Sequence, residues 1–113
     1  MTVATMTEAS VRTRAYAEQA VQAALESDWA RAIELNSKTV DAAPDDIEAR
    51  NRLGRAYLEL GKLDLAKAAY SEVLKTEPNN PIALRNIARI ATLAEHKSKD
   101  ERHQIQDPAA PLH

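Results

Sequence analysis

Arginine and asparagine residues recur in two segments of this chain at spacings that place them on one side of a helix. Steps of three or four residues connect the members within each segment. A guanidinium binds a carboxylate with two parallel hydrogen bonds, and an asparagine amide hydrogen-bonds an extended peptide backbone. The pattern therefore indicates recognition of an acidic polypeptide, and an ordinary solvated helix face is the alternative interpretation. The candidate residues are Asn51, Arg52, Arg55, Arg85, Asn86 and Arg89.

Residues suited to catalysis or metal binding are few and poorly spaced. The absence of cysteine excludes disulfides, thiolate zinc sites and a thiol nucleophile. The histidines His96, His103 and His113 lie at or beyond the end of the last predicted helix, and none is four residues from another. The two glycines are too few for a phosphate-binding loop. We therefore predict no enzymatic activity, no cofactor and no metal ion.

Composition and charge are those of an ordinary globular domain. Of the 113 residues, 44% are hydrophobic and 28% are charged, and the net charge is −2. Residues 1–46 carry four basic and eight acidic side chains, whereas residues 47–94 carry eight basic and five acidic ones. The negative total argues against a general polyanion-binding protein. Nucleic acid is therefore not an expected partner, and an RNA- or ribosome-associated role ranks third among the functions considered.

The chain shows no segment that would direct it into a membrane. No stretch approaches the roughly 20 apolar residues of a membrane-spanning helix. The first ten residues lack both the basic and the apolar region of a signal peptide. We expect a cytoplasmic protein that makes no membrane contact.

Residue classes recur along the chain with a step of 34. Pro44 and Pro78 are separated by this step, and so are the small residues Ala20, Gly54 and Ala88. Apolar residues in both copies recur with the helical period of 3.6, and no useful length alternates with a period of two. The sequence therefore predicts an all-α protein built from repeated helix pairs.

Residues 47–80 carry a recognisable motif. They resemble the tetratricopeptide repeat, although Arg50 stands where that family has an aromatic residue. Residues 13–46 are a more divergent copy, and a third unit begins at Pro81. The resemblance implies a short right-handed α-solenoid of antiparallel helix hairpins. The matching residues are Leu53, Gly54, Tyr57, Gly61, Ala66, Tyr70 and Pro78.

The repeat boundaries give the predicted organisation of the chain. A lead-in at 1–12 contains the start of the first helix, and two repeat units follow at 13–46 and 47–80. A capping half repeat occupies 81–96, and a flexible polar tail occupies 97–113. Helices are predicted at about 8–26, 29–42, 46–60, 63–76 and 80–96. Ser27 and Gly61 mark the two hairpin turns, where the backbone takes a left-handed conformation.

The resemblance also implies a binding surface, because the leading helix of each pair lines a concave groove in this family. The arginine and asparagine residues fall on groove positions, and Val21, Ala24 and Leu25 make the other end apolar. One branch of the family clamps a C-terminal carboxylate. The match to that clamp is partial, since its lysines are missing and the residue types are permuted. The leading hypothesis is a non-enzymatic protein–protein interaction module that binds an acidic peptide segment or a partner helix.

A self-assembling scaffold is the second hypothesis. A repeat buries its apolar face only against a neighbour, and this array ends after about two and a half units. Ile87, Ile90 and Leu93 of the last helix would then form an apolar edge for homo-oligomer contact. Partial coverage of Ile90 by Lys97 is the alternative interpretation.

Overall fold

The computed structural model describes residues 7–106, of which 101–106 are described as helical backbone only. Residues 1–6 of the predicted lead-in and 107–113 of the predicted tail lie outside the described residues. The described part contains five helices and no strand. They are α1 (Glu8–Leu25), α2 (Trp29–Ala42), α3 (Ile47–Glu59), α4 (Leu63–Thr76) and α5 (Pro81–Gln106). These bounds lie within one residue of the predicted ones except at the end of α5.

Helices adjacent in sequence pack against each other along the whole array. Helix α1 pairs with α2 and α3 with α4, while α2 contacts α3 and α4 contacts α5. Beyond these neighbours, α5 makes a smaller contact with α3. Since each unit contacts only those beside it, the array is a solenoid. The predicted all-α repeat fold is confirmed.

Four of the five helices begin with a side-chain cap. Thr7, Asp28, Asp46 and Asn80 each accept a hydrogen bond from the backbone N–H three residues ahead, at 3.0–3.2 Å. This bond satisfies one of the backbone donors that a helix start leaves without an intrahelical partner. Helix α4 begins after Lys62 without such a bond. The local sequence therefore sets the helix starts directly.

The two hairpin turns have equivalent geometry. Ser27 and Gly61 hold the same position in successive repeats, and both adopt a left-handed conformation with φ of 58° and 74°. The next N–H in each turn donates back to the end of the preceding helix, from Asp28 to the Ala23 oxygen at 2.8 Å and from Lys62 to the Tyr57 oxygen at 2.9 Å. These bonds end α1 and α3 and reverse the chain, as predicted for both turns.

Helix α5 is longer than the sequence suggested. The predicted end at 96 is wrong, because the helix continues to Gln106, and the predicted flexible tail is helical over 97–106. No glycine or proline interrupts this stretch, and most of its residues favour helices. The helix is described as far as Gln106. Residues 91–100 are all exposed. The polar composition of the tail therefore reflects an exposed helix rather than a flexible segment.

Some of the apolar residues of α5 pack inward against α4. Ile90 is only 3% exposed and Ile87 packs on the same cluster, whereas Leu93 remains 37% exposed. The expected oligomer edge is therefore wrong for Ile87 and Ile90. Steps of four and three residues place both beside Ala83 on one helix face, and α4 covers that face. The buried members of this cluster are Leu58, Ala66, Tyr70, Val73, Ala83 and Ile90.

Helices α3 and α4 approach most closely where Gly54 meets Tyr70. A Cβ atom at Gly54 would lie 2.7 Å from Cζ of the Tyr70 ring and under 3.0 Å from both Cε atoms. Tyr70 is completely buried, so the ring has little freedom to move aside. Glycine is required here by the space available rather than by its backbone freedom. The ring of Tyr70 is thereby fixed in position.

Gly54→Ala is expected to lower the free energy of unfolding by about 2 kcal/mol, measured by urea denaturation. Overpacking against the ring outweighs the roughly 1 kcal/mol by which alanine favours a helix. The same substitution in a Tyr70→Leu background should cost less, because the ring is gone. A Gly54→Ala protein more stable than the wild type would contradict the contact.

Candidate functional site

All six arginine and asparagine residues identified from the sequence line one cleft. Its volume is about 600 Å³. Helix α3 contributes Asn51, Arg52 and Arg55 to the cleft, and α5 contributes Arg85, Asn86 and Arg89. The two helices are leading helices of successive units, so the repeat brings the two stripes face to face.

Part of the cleft lining is apolar. Val21 and Leu25 of α1 are 44% and 76% exposed, and Ile82 of α5 is 43% exposed. The Trp29 ring of α2 also lines the cleft. Apolar side chains this accessible are available for contact with an apolar group of a ligand. The cleft therefore combines cationic and apolar surface, the combination that the sequence predicted.

Arg52 is held in place by a buried amide. Its Nε donates to Oδ1 of Asn36 at 3.0 Å, and Nη1 lies 3.9 Å from Oε2 of Glu48. Asn36 on α2 is 1% exposed, so its carbonyl oxygen requires this donor. Arg52 thus links the two repeat units, and its Nε–H is already engaged.

Arg55 is likewise engaged within the chain. Its Nε donates to Oε1 of Glu59 at 2.8 Å, one helical turn further along α3. Its guanidinium carbon lies 5.5 Å from the centroid of the Trp29 ring, within the range of a cation–π contact. Arg55 therefore connects the apolar and the cationic parts of the cleft.

Arg85 and Arg89 differ from both, because no carboxylate of residues 7–100 forms an ion pair with either. They lie four residues apart on α5, on one face, and both are exposed. Asn86 beside them donates from Nδ2 to the backbone oxygen of Ile82 at 2.8 Å. Two uncompensated guanidiniums thus stand at one wall of the cleft.

Tyr70 forms part of the cleft lining as well as the core. Burial raises the pKa of its hydroxyl to about 12, although Arg55, Arg89 and Arg85 oppose this by their positive charge. The phenol therefore stays protonated at neutral pH and is available as a hydrogen-bond donor. Among the described residues it has no hydrogen-bond partner, and neither has Oδ1 of Asn51.

Sequence comparison agrees with the repeat architecture. Residues 23–90, more than half of the chain, match the profile of the tetratricopeptide repeat. The chain belongs to the tetratricopeptide repeat family. Repeats of this family generally mediate protein–protein interaction.

Two curated relatives match over most of this chain. A heat shock protein sti1 homolog from Schizosaccharomyces pombe is 33% identical over 75 residues, which are 66% of this chain and 13% of that protein. Tetratricopeptide repeat protein 5 from Homo sapiens is 32% identical over 78 residues, 68% of this chain and 18% of that protein. The chain thus spans less than a fifth of either relative, and the likeness is confined to a repeat-sized segment.

Three residues that line the cleft were not predicted to do so from the sequence: Trp29, Asn36 and Tyr70. The family motif places Trp29 and Tyr70 in the core, and Asn36 stands where the motif has a large core residue. The signal lay in the repeat itself, since Asn36 and Tyr70 occupy the same repeat position and both are polar. That position serves the core and the cleft together.

Within the described residues, no helix combines the length and the apolar character needed to cross a bilayer.

Tyr70 should titrate well above an ordinary tyrosine. The difference between the ultraviolet pH titrations of the wild type and Tyr70→Phe is expected to show tyrosinate forming with a midpoint near 12. Because the folded pKa exceeds the ordinary value of 10.0, stability is unaffected below pH 10 and falls as pH rises towards 12. A midpoint near 10 would mean that the hydroxyl is not buried.

Proposed function

We propose that this protein binds an acidic polypeptide segment of a partner in the cleft, without catalysing a reaction. The observation that carries the proposal is the pair Arg85 and Arg89, which face the cleft with no carboxylate of the described residues to neutralise them. Carboxylates of a partner would supply that charge, and paired guanidiniums suit them geometrically. An extended peptide and a partner helix both satisfy this description.

The segment around Arg85 and Arg89 is locally cationic. Arg52 and Arg55 on the same cleft each have a glutamate four residues away, as Arg14 has Glu18 and Lys38 has Glu34 on other faces. Around the arginines of α5 this pattern stops, because residues 78–94 contain no acidic residue. Arg85 and Arg89 therefore add positive charge to the cleft that no acidic residue of their own segment offsets.

The apolar lining of the cleft indicates that the partner also carries an apolar side chain. Val21, Leu25 and Ile82 offer accessible aliphatic surface next to the guanidiniums. A segment with an apolar side chain near its acidic group would use both parts of the cleft at once. Burial of the apolar group would supply affinity, and the ionic contacts would supply orientation.

The arrangement differs from the carboxylate clamp found in one branch of the family. Of the residues on clamp positions, Arg55 is engaged by Glu59 and Asn86 by its own helix backbone. The cleft cations without an ion-pair partner among residues 7–100 are instead Arg85 and Arg89. We therefore propose an acidic partner without assigning it to the proteins that clamp-bearing relatives bind.

The double variant Arg85→Glu/Arg89→Glu should bind acidic peptides at least about tenfold more weakly than the wild type. The measurement is fluorescence anisotropy against a library of peptides that combine leucine with glutamate. The matched control is Arg31→Glu/Lys67→Glu, which makes the same charge change at exposed positions outside the cleft. Equal weakening by both variants would indicate a nonspecific charge effect, and no weakening by the first would remove the cleft from the function.

A further inference from the structure

One position of the repeat carries a buried polar residue in both units. Asn36 on α2 and Tyr70 on α4 are equivalent in successive repeats, and both line the cleft while being almost completely buried. Arg52, from the leading helix of the next unit, contacts Asn36. Its equivalent one repeat later is Asn86, which lines the same cleft as Tyr70. Two equivalent polar contacts are therefore possible.

Only the first of these contacts is formed within the chain. Asn36 receives a hydrogen bond from Arg52 at 3.0 Å, which satisfies its buried carbonyl oxygen. In the next unit, Asn86 uses its amide on the backbone oxygen of Ile82. Neither Asn86 nor any other described residue forms a hydrogen bond with the Tyr70 hydroxyl, which is buried although Tyr70 lines the cleft.

Packing explains the aromatic ring of Tyr70 but not its hydroxyl group. The ring lies against Gly54 and belongs to the main apolar cluster. Phenylalanine would provide the same ring without a buried polar atom. A buried hydroxyl without a partner destabilises a protein, so its presence at a cleft indicates a group supplied from outside.

A second unpartnered atom lies on the same cleft. Asn51 is 9% exposed and donates from Nδ2 to Oδ1 of Asn80 at 3.5 Å, while its own Oδ1 accepts no bond from the described residues. The cleft therefore presents one unused donor, the Tyr70 hydroxyl, and one unused acceptor, Asn51 Oδ1. A ligand that satisfies both carries a hydrogen-bond acceptor and an N–H group, and the neighbouring guanidiniums favour an anionic oxygen as the acceptor.

We propose that Tyr70 is a specificity-determining residue, whose hydroxyl donates to an anionic oxygen of the partner held between Arg85 and Arg89. Asn51 Oδ1 accepts a backbone N–H of the same segment. This assignment rests on the proposed function and adds a neutral donor to the cationic site. The anionic oxygen belongs to a carboxylate, from a side chain or a chain terminus, or to a phosphate. These groups share the required chemistry, and the arms of the test distinguish them.

Tyr70→Phe separates the hydroxyl from the ring. With the tightest-binding peptide of the leucine–glutamate library as probe, affinity should fall at least about tenfold, because a hydrogen bond to a charged acceptor is lost. The thermal midpoint should stay equal or rise, because the ring remains. Tyr57→Phe is the matched control, since Tyr57 lies on α3 and does not line the cleft, and it should leave the affinity unchanged.

The acceptor is tested by changing the peptide. When the glutamates of the probe are replaced by glutamine, Tyr70→Phe and wild type should bind with equal, weaker affinity. Parallel probes with an amidated terminus, with a free terminus as the sole acid, or with phosphoserine identify the source of the anionic oxygen. The source is the probe whose affinity falls most in Tyr70→Phe.

Failure of this assignment is distinguishable from failure of the proposed function. If Arg85→Glu/Arg89→Glu abolishes binding while Tyr70→Phe binds as the wild type does, the cleft binds acidic segments and the hydroxyl has no part in it. If the wild type binds no peptide of the library, both proposals are overturned. A Tyr70→Phe protein with lower thermal stability would contradict the claim that its hydroxyl is unpartnered in the free protein.

Discussion

The contact between Gly54 and the Tyr70 ring is the constraint on which the rest of the structure depends. It sets the distance between α3 and α4, since any Cβ at Gly54 would overlap the ring. The same ring belongs to the cluster that receives Ala83 and Ile90, so it also determines how α5 docks. Because α3 and α5 carry the arginines and asparagines, one core contact fixes the geometry of the cleft. In this small array the packing of the core therefore determines the geometry of the cleft.

The charge of the cleft depends both on the arginines that line it and on the local absence of acidic residues. Arg52 and Arg55 are oriented by Asn36, Glu59 and Trp29, and they form a fixed rim. The segment 78–94 lacks acidic residues, and Arg85 and Arg89 within it form no ion pair with residues 7–100. Tyr70 lines the same cleft, and its buried hydroxyl stays protonated at neutral pH. Fixed cations, uncompensated cations and a buried donor thus converge on one volume, which is the basis for proposing an acidic partner.

Much of the fold followed from the sequence because its signals are local. The caps at Asp28 and Asn80 and the turns at Ser27 and Gly61 depend on a few consecutive residues, and the repeat step fixed the order of the helices. The six arginine and asparagine residues were found because face and spacing are readable from helix periodicity. The burial of Ile90 and the cleft position of Tyr70 depend on how a helix rotates against its neighbour, which the composition of a segment does not determine. The continuation of α5 past 96 depends on the absence of any helix-breaking residue, whereas the prediction of a tail relied on polar composition.

The central claim is that an acidic segment binds in the cleft between α3 and α5. Nuclear magnetic resonance titration with an acidic leucine–glutamate peptide tests it most directly, with the side-chain Nε–H signals of the arginines observed beside the backbone amides. The account predicts that Arg85, Arg89 and Asn51 shift together and saturably, while Arg31 and Lys67 outside the cleft do not. Shifts confined to Arg31 and Lys67, or spread evenly over all basic residues, would contradict it.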